Sequence, residues 1–308
     1  MGRIVLTVNN RLLYVVEVLL KEANPDGVYF GKTTFYKLMF LLTERLLARG
    51  IDINLPYSWY RYGTMIERQE FFEATGIPLI HYAPHEGSTI QIETISDRDL
   101  PLHERQVIVE ETRKLLSEFP ENDYLENRNR DRYIDIIYER APLLFQKLYS
   151  RNFLKDIKNF RNVPRVMTYV KRITFEKYLD DLLSVYPVKE MEDLYDTYLE
   201  WDDTFRLALD NNPFVLDPLA TDFWNIFCRL LRAKYNGNIS EGLILDWTTR
   251  FHEEDLPDYQ QRLAAARKEL LEMHTKTTPP DSDVERITGK MMKLSYNLAL
   301  EERIPSGR

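Results

Sequence analysis

A chain of 308 residues with 44% apolar and 29% charged side chains has the composition of a folded globular protein, with room for two domains and no need of disulfide or metal support. Its net charge of −8 argues against indiscriminate nucleic-acid binding, and its single cysteine, Cys228, excludes an intrachain disulfide and points to a reducing cytoplasm. No apolar stretch reaches the roughly 20 residues of a membrane span, and the first residues, Met1 to Leu6, carry neither a signal-peptide nor a myristoylation pattern.

The spacing predicts a first helix over 9–24, capped by Asn9 or Asn10 and stopped at Asn24-Pro-Asp-Gly27. A second follows from Thr34 to Arg49, with Thr33 as cap and Gly50 as terminator. Its stripe is Phe35, Leu38, Met39, Leu42 and Leu46, and Phe40, Leu41 and Leu47 widen it, so this helix is expected at the centre of a domain. The aromatic run Tyr57 to Tyr62 reads as a strand. Thr64-Met-Ile-Glu67 has capping-box spacing and predicts a third helix over 65–74, stopped by Gly76. Residues 77–82 and 89–95 read as a hairpin. This order is that of a winged helix-turn-helix, with the hairpin as wing.

Ser96 to Pro101 is the expected boundary, giving a winged-helix-like domain over 1–98 and an all-α domain over 99–308. Helical periods cover about 102–118, 123–140, 142–160, 164–185, 189–210, 217–235, 239–253, 256–275 and 283–302, with prolines near the breaks and a loop at 275–282. The expected fold is mostly α.

Lys32-Thr-x-x-x-Lys37-Leu38-x-x-x-Leu42, followed by Tyr60-x-Tyr62-Gly63, resembles the Panacea-type antitoxin domain and related prokaryotic winged-helix-like proteins over roughly residues 10–95. Thr64 stands where that family has proline. The resemblance implies a non-enzymatic antitoxin or defence-system adaptor, including antiviral defence, that acts by binding protein.

Catalytic and metal motifs are absent from the sequence. Gly31-Lys32-Thr33-Thr34 fails as a phosphate loop because Asp26 stands where that motif needs glycine. His81-x-x-x-His85-Glu86 falls in a predicted hairpin, where this spacing does not converge, and Cys228 sits in an apolar run as an inert thiol. No enzyme activity, metal or cofactor is expected, although a site assembled from carboxylates on separate helices leaves no local motif.

Charge, by contrast, is segregated. Residues 128–177 hold thirteen Lys and Arg against five Asp and Glu, and residues 178–223 hold two against twelve. Within the basic stretch, Arg128, Arg130, Arg132, Lys147, Arg151, Lys155, Lys158 and Arg161 alternate with Tyr133, Tyr138, Phe145, Tyr149 and Phe153, the pattern by which cations neutralise phosphates and rings stack on unpaired bases. The same spacing also suits core aromatics with a solvated cationic face. Lys147, Arg151, Lys155 and Lys158 are expected on one helix face.

Glu192, Asp196, Glu200 and Asp203 form an acidic mirror image, suited to a cation from the same chain, a partner protein or a metal. In the predicted third helix Arg68 and Gln69 could read bases, but they sit beside Glu67, Glu70 and Glu73, which would repel phosphate. The expectation is a cytoplasmic, non-enzymatic regulator that binds nucleic acid through the basic segment. Its winged helix would serve docking or homo-oligomer contacts. The rival expectation is the protein-binding adaptor.

Overall fold

The tight turn at Arg61 and Tyr62 joins two short strands and sits among helices, and the local sequence explains most of the limits of these elements. The computed structural model describes residues 9–23, 32–76, 100–119, 130–160 and 168–277. Helix α1 (Asn10–Ala23) is capped by Asn9, whose Oδ1 accepts the Leu12 N–H at 3.0 Å. Helix α2 (Lys32–Ala48) is buried continuously from Thr34 to Thr43, as its wide apolar stripe requires. It ends in a left-handed Gly50, φ 79°. Thr33 lies inside α2 and is not its cap.

Strands β1 (Tyr57–Tyr60) and β2 (Gly63–Ile66) form a tight antiparallel pair with Tyr60 opposite Gly63. The expected capping box at Thr64 to Glu67 does not form. Thr64 is in β2, where its carbonyl accepts a 2.5 Å hydrogen bond from buried Lys37, and α3 (Arg68–Thr75) starts only after Glu67. Strand pairing and a partner for Glu67 far along the chain outweigh the local capping preference. Gly76, φ 70°, closes α3.

Beyond residue 99 come α4 (Leu102–Ser117), α5 (Arg130–Tyr138), α6 (Leu144–Lys147), α7 (Leu154–Phe160) and α8 (Thr168–Ser184). Then follow α9 (Tyr195–Asn211), α10 (Leu216–Lys234), β3 (Asn236–Gly237), α11 (Glu241–Arg250) and α12 (Leu256–Thr277). The protein is mostly helical with one three-stranded sheet, order β2-β1-β3. The expected hairpin at 77–95 and helix at 283–302 lie outside the described residues, and α12 extends into the expected 275–282 loop.

Elements on both sides of the expected 98/99 boundary share this sheet, since β3 pairs with β1, and they share one core. Helix α2 packs against α4 and α5, β1 packs against α10, and buried residues from Leu12 to Leu270 form one cluster. Aromatic rings fill its centre: Trp201 lies 4.7 Å from Phe223, and Tyr149 stacks on Trp224 at 5.4 Å.

Arg11 of α1 grips Glu104 of α4 through two 2.8 Å hydrogen bonds, and these hold the Glu104 carboxyl below its ordinary range. A carboxyl depressed by folding stabilises the protein above its unfolded value, and that gain disappears as pH falls through the folded value. Glu104→Gln should therefore melt below the parent at about pH 7, with the gap closing toward about pH 3. Thermal unfolding at both pH values checks this, and an equal gap at both removes it.

Candidate functional site

The basic segment is interrupted by a π-helical turn, Leu148–Phe153, between α6 and α7. Such a turn is wider than an α-turn and offsets the side chains before it from those after it. The expected single face of four cations is thereby split. Lys147 turns to Glu139, just past the end of α5, at 2.5 Å, while Arg151, Lys155 and Lys158 converge on a cavity of about 360 Å³.

Its other walls come from elsewhere. The β1–β2 turn supplies Arg61 and Tyr62, α5 supplies Ile134, and α10 supplies Thr221, Trp224 and Asn225. Among the described residues lining the cavity, none is acidic. The turn is fixed from behind, because the Arg61 carbonyl accepts hydrogen bonds from the Tyr138 hydroxyl at 2.8 Å and the Trp224 indole at 3.4 Å. The Arg61 Nε is buried and makes no hydrogen bond, an unsatisfied cationic donor at the cavity wall.

The four cations differ in availability. Arg151 is held by Asp135 of α5 and lies 5.9 Å from the Tyr138 ring centroid. Lys155 and Lys158 are exposed and have no ion-pair partner among the described residues. Asp156 stands between them but is diverted, accepting a 2.7 Å hydrogen bond from Tyr178 that pushes the phenol up to about 12. Behind the cavity, burial raises the Cys228 thiol well above its ordinary value despite nearby Arg61, so it is an inert core group.

Other expected residues are placed differently. Arg128 and Arg161 lie outside the described residues, Arg130 opens α5, and Arg132 is exposed on it. Tyr133, Tyr138, Phe145, Tyr149 and Phe153 are all core, at most 1% exposed, and cannot stack on a base. The rings at the site are Tyr62 and Trp224, which come from outside the basic segment.

Arg68 and Gln69 are exposed on α3, and Gln69 bonds Glu73 at 3.1 Å. The acids beside them are used internally. Glu67 is buried against Ser58 and Arg232, and Glu70 accepts the Ser240 hydroxyl at 2.6 Å.

Of the acidic quartet, Asp196, Glu200 and Asp203 are on α9, whereas Glu192 lies in the 3-10 turn before it. Asp203 meets Arg267 at 3.7 Å, and neighbouring Asp222 meets Arg262 at 3.4 Å. These cations come from α12 and not from the basic segment. Among the described residues no cluster of His, Cys, Asp or Glu is placed to hold a metal ion, and no helix is long and apolar enough to cross a membrane.

The chain matches no family model, no curated protein sequence and no solved structure.

Proposed function

We propose that this protein is a non-enzymatic regulator that binds nucleic acid, with the cavity between α7, α10 and the β1–β2 turn as its phosphate-contacting site. The observation that carries the reading is the convergence of Arg61, Arg151, Lys155 and Lys158 on one cavity whose described lining contains no acid. Cations gathered in this way attract a phosphodiester backbone, and exposed Tyr62 at the rim offers a ring to an unpaired base. In this reading α1 to α3 give a winged-helix-like docking surface packed into the common core and not a groove reader, because Glu67 and Glu70 tie α3 to Arg232 and Ser240.

Fluorescence anisotropy with labelled single-stranded DNA and RNA tests it. Lys155→Glu combined with Lys158→Glu is expected to weaken binding at least about tenfold and flatten the salt dependence by about one unit of log–log slope. Lys147→Glu should change affinity by less than about twofold, since Glu139 already neutralises it. Wild-type affinity and slope in the Lys155/Lys158 double variant would remove the proposal.

A second reading, the protein-binding antitoxin or defence adaptor, is favoured by large apolar side chains left in solvent, Phe214 at 81% and Leu245 at 66% exposure. It predicts co-purification of a partner protein that survives nuclease treatment. Loss of the partner on nuclease treatment counts against it.

A further inference from the structure

Helix α10 borders a second cavity. One and two turns beyond Asn225, its Arg229 and Arg232 join Tyr60, Asp246, Trp247, Arg250 and Asp255 around a space of about 260 Å³. The two cavities are joined by a ladder of cations and rings. The Arg61 guanidinium lies 5.6 Å from the Tyr60 ring centroid, and Arg232 lies 6.0 Å from that ring and 4.0 Å from the Trp247 ring. Arg61 also lines the first cavity and Trp247 the second, so the ladder runs from one to the other across the strand turn.

The second cavity has the means to engage both parts of a nucleotide. Arg229 and Arg232 are fixed and neutralised by Asp255 and Glu67, which leaves Arg250 as the cation able to answer a phosphate. Among the described residues Arg250 pairs only with Glu254, at 3.3 Å between side chains 63% and 68% exposed, a contact weak enough to yield to a phosphate. Trp247 offers a half-buried ring. Asp246 makes no ion pair among the described residues, and its carboxylate can accept a hydrogen bond from a base ring N–H, such as the N3–H of thymine.

We infer that the nucleic acid is a single strand that lies along α10, with its backbone at Lys155 and Lys158, crosses the Tyr60–Tyr62 turn, and places a base against Trp247 with Arg250 on the adjoining phosphate. This rests on the reading of the first cavity as a phosphate site. Exposed Tyr62 and half-buried Trp247 present their rings within concave sites, which unpaired bases reach and a stacked duplex does not.

The full chain is titrated with a two-nucleotide and a twelve-nucleotide oligothymidylate and with a twelve-base-pair duplex. Trp247→Ala and Arg250→Glu are each expected to weaken the long strand about tenfold, the scale of one lost base stack, and to leave the short probe within about twofold. The duplex should bind more weakly than the long strand. If both variants hold the long strand as the parent does while the Lys155/Lys158 double variant loses it, the strand stops at the first cavity and this inference fails alone. If the double variant also keeps both probes, the phosphate-site reading fails with it. Duplex binding equal to that of the single strand overturns the single-strand assignment. Arg250 is solvent-exposed, so Arg250→Glu carries the test should Trp247→Ala lower the folded fraction.

Discussion

Gly63→Ala is expected to destabilise the protein by on the order of 3 kcal/mol, through backbone strain and overpacking together. Gly63 has φ +87°, a conformation that a side chain disfavours, and an added Cβ would stand 2.5 Å from Ile137 Cγ2 on α5. Neither β2 nor α5 can retreat easily, because Lys37 holds the Thr64 carbonyl beside this point and Ile137 is fully buried. The comparison variant is Gly50→Ala, where φ is +79° but nothing lies within 4 Å of the new Cβ. It should cost only about 1 kcal/mol, the backbone part alone. Denaturant unfolding of the two variants separates strain from packing, and equal losses would show that the approach to Ile137 is unimportant. If the cavity is the proposed nucleic-acid site, Gly63→Ala should also lower its affinity, because Arg61 and Tyr62 lie in the turn that Gly63 closes.

Arg232→Met is expected to cost about 3 kcal/mol, the lower end of what breaking a buried ion pair costs. The Glu67 side chain is 7% exposed and receives Arg232 Nε at 3.0 Å and Nη2 at 2.5 Å. Removing the guanidinium leaves that carboxylate buried, with the Ser58 hydroxyl as its remaining hydrogen-bond donor among the described residues. Partial exposure of Arg232 at 28% admits some water and keeps the cost from the upper end. The double variant Glu67→Gln/Arg232→Met should recover much of the loss, because no buried charge then remains unpaired. A double variant no more stable than Arg232→Met would contradict this account. The pair joins the start of α3 to the end of α10, so its loss should also loosen the wall of the second cavity, which Arg232 lines.

Much of the secondary structure was legible because its signals are local. Asn9 caps α1, Gly50 and Gly76 close α2 and α3 in the left-handed conformation, and the apolar spacing of α2 requires burial on most sides. Thr64 to Glu67 was misleading for the converse reason. Its spacing satisfies a capping box, but Thr64 is drawn into β2 by pairing with Trp59, and Glu67 is claimed by an arginine 165 positions away.

The basic stretch was legible as a charge pattern, but composition does not say which cations are already neutralised. Glu139 in the turn after α5 and Asp135 on α5 take Lys147 and Arg151, and the π-turn that sets Lys147 apart from the other three has no periodic signature. The aromatics interleaved with those cations belong to the core, and the rings and arginine that complete the site come from positions 61, 62 and 224.

The sequence by itself determined a mostly helical chain, the burial of α2, the limits of several helices and the position of the positive charge, since each depends on residues within a few turns of one another. Tertiary structure alone decided that β3 completes the sheet, that α10 forms the floor between two cavities, and that Arg61 meets Lys155 and Lys158. Those contacts join residues far apart in the chain, and they are selected by packing one core and pairing buried charges, which no local pattern encodes.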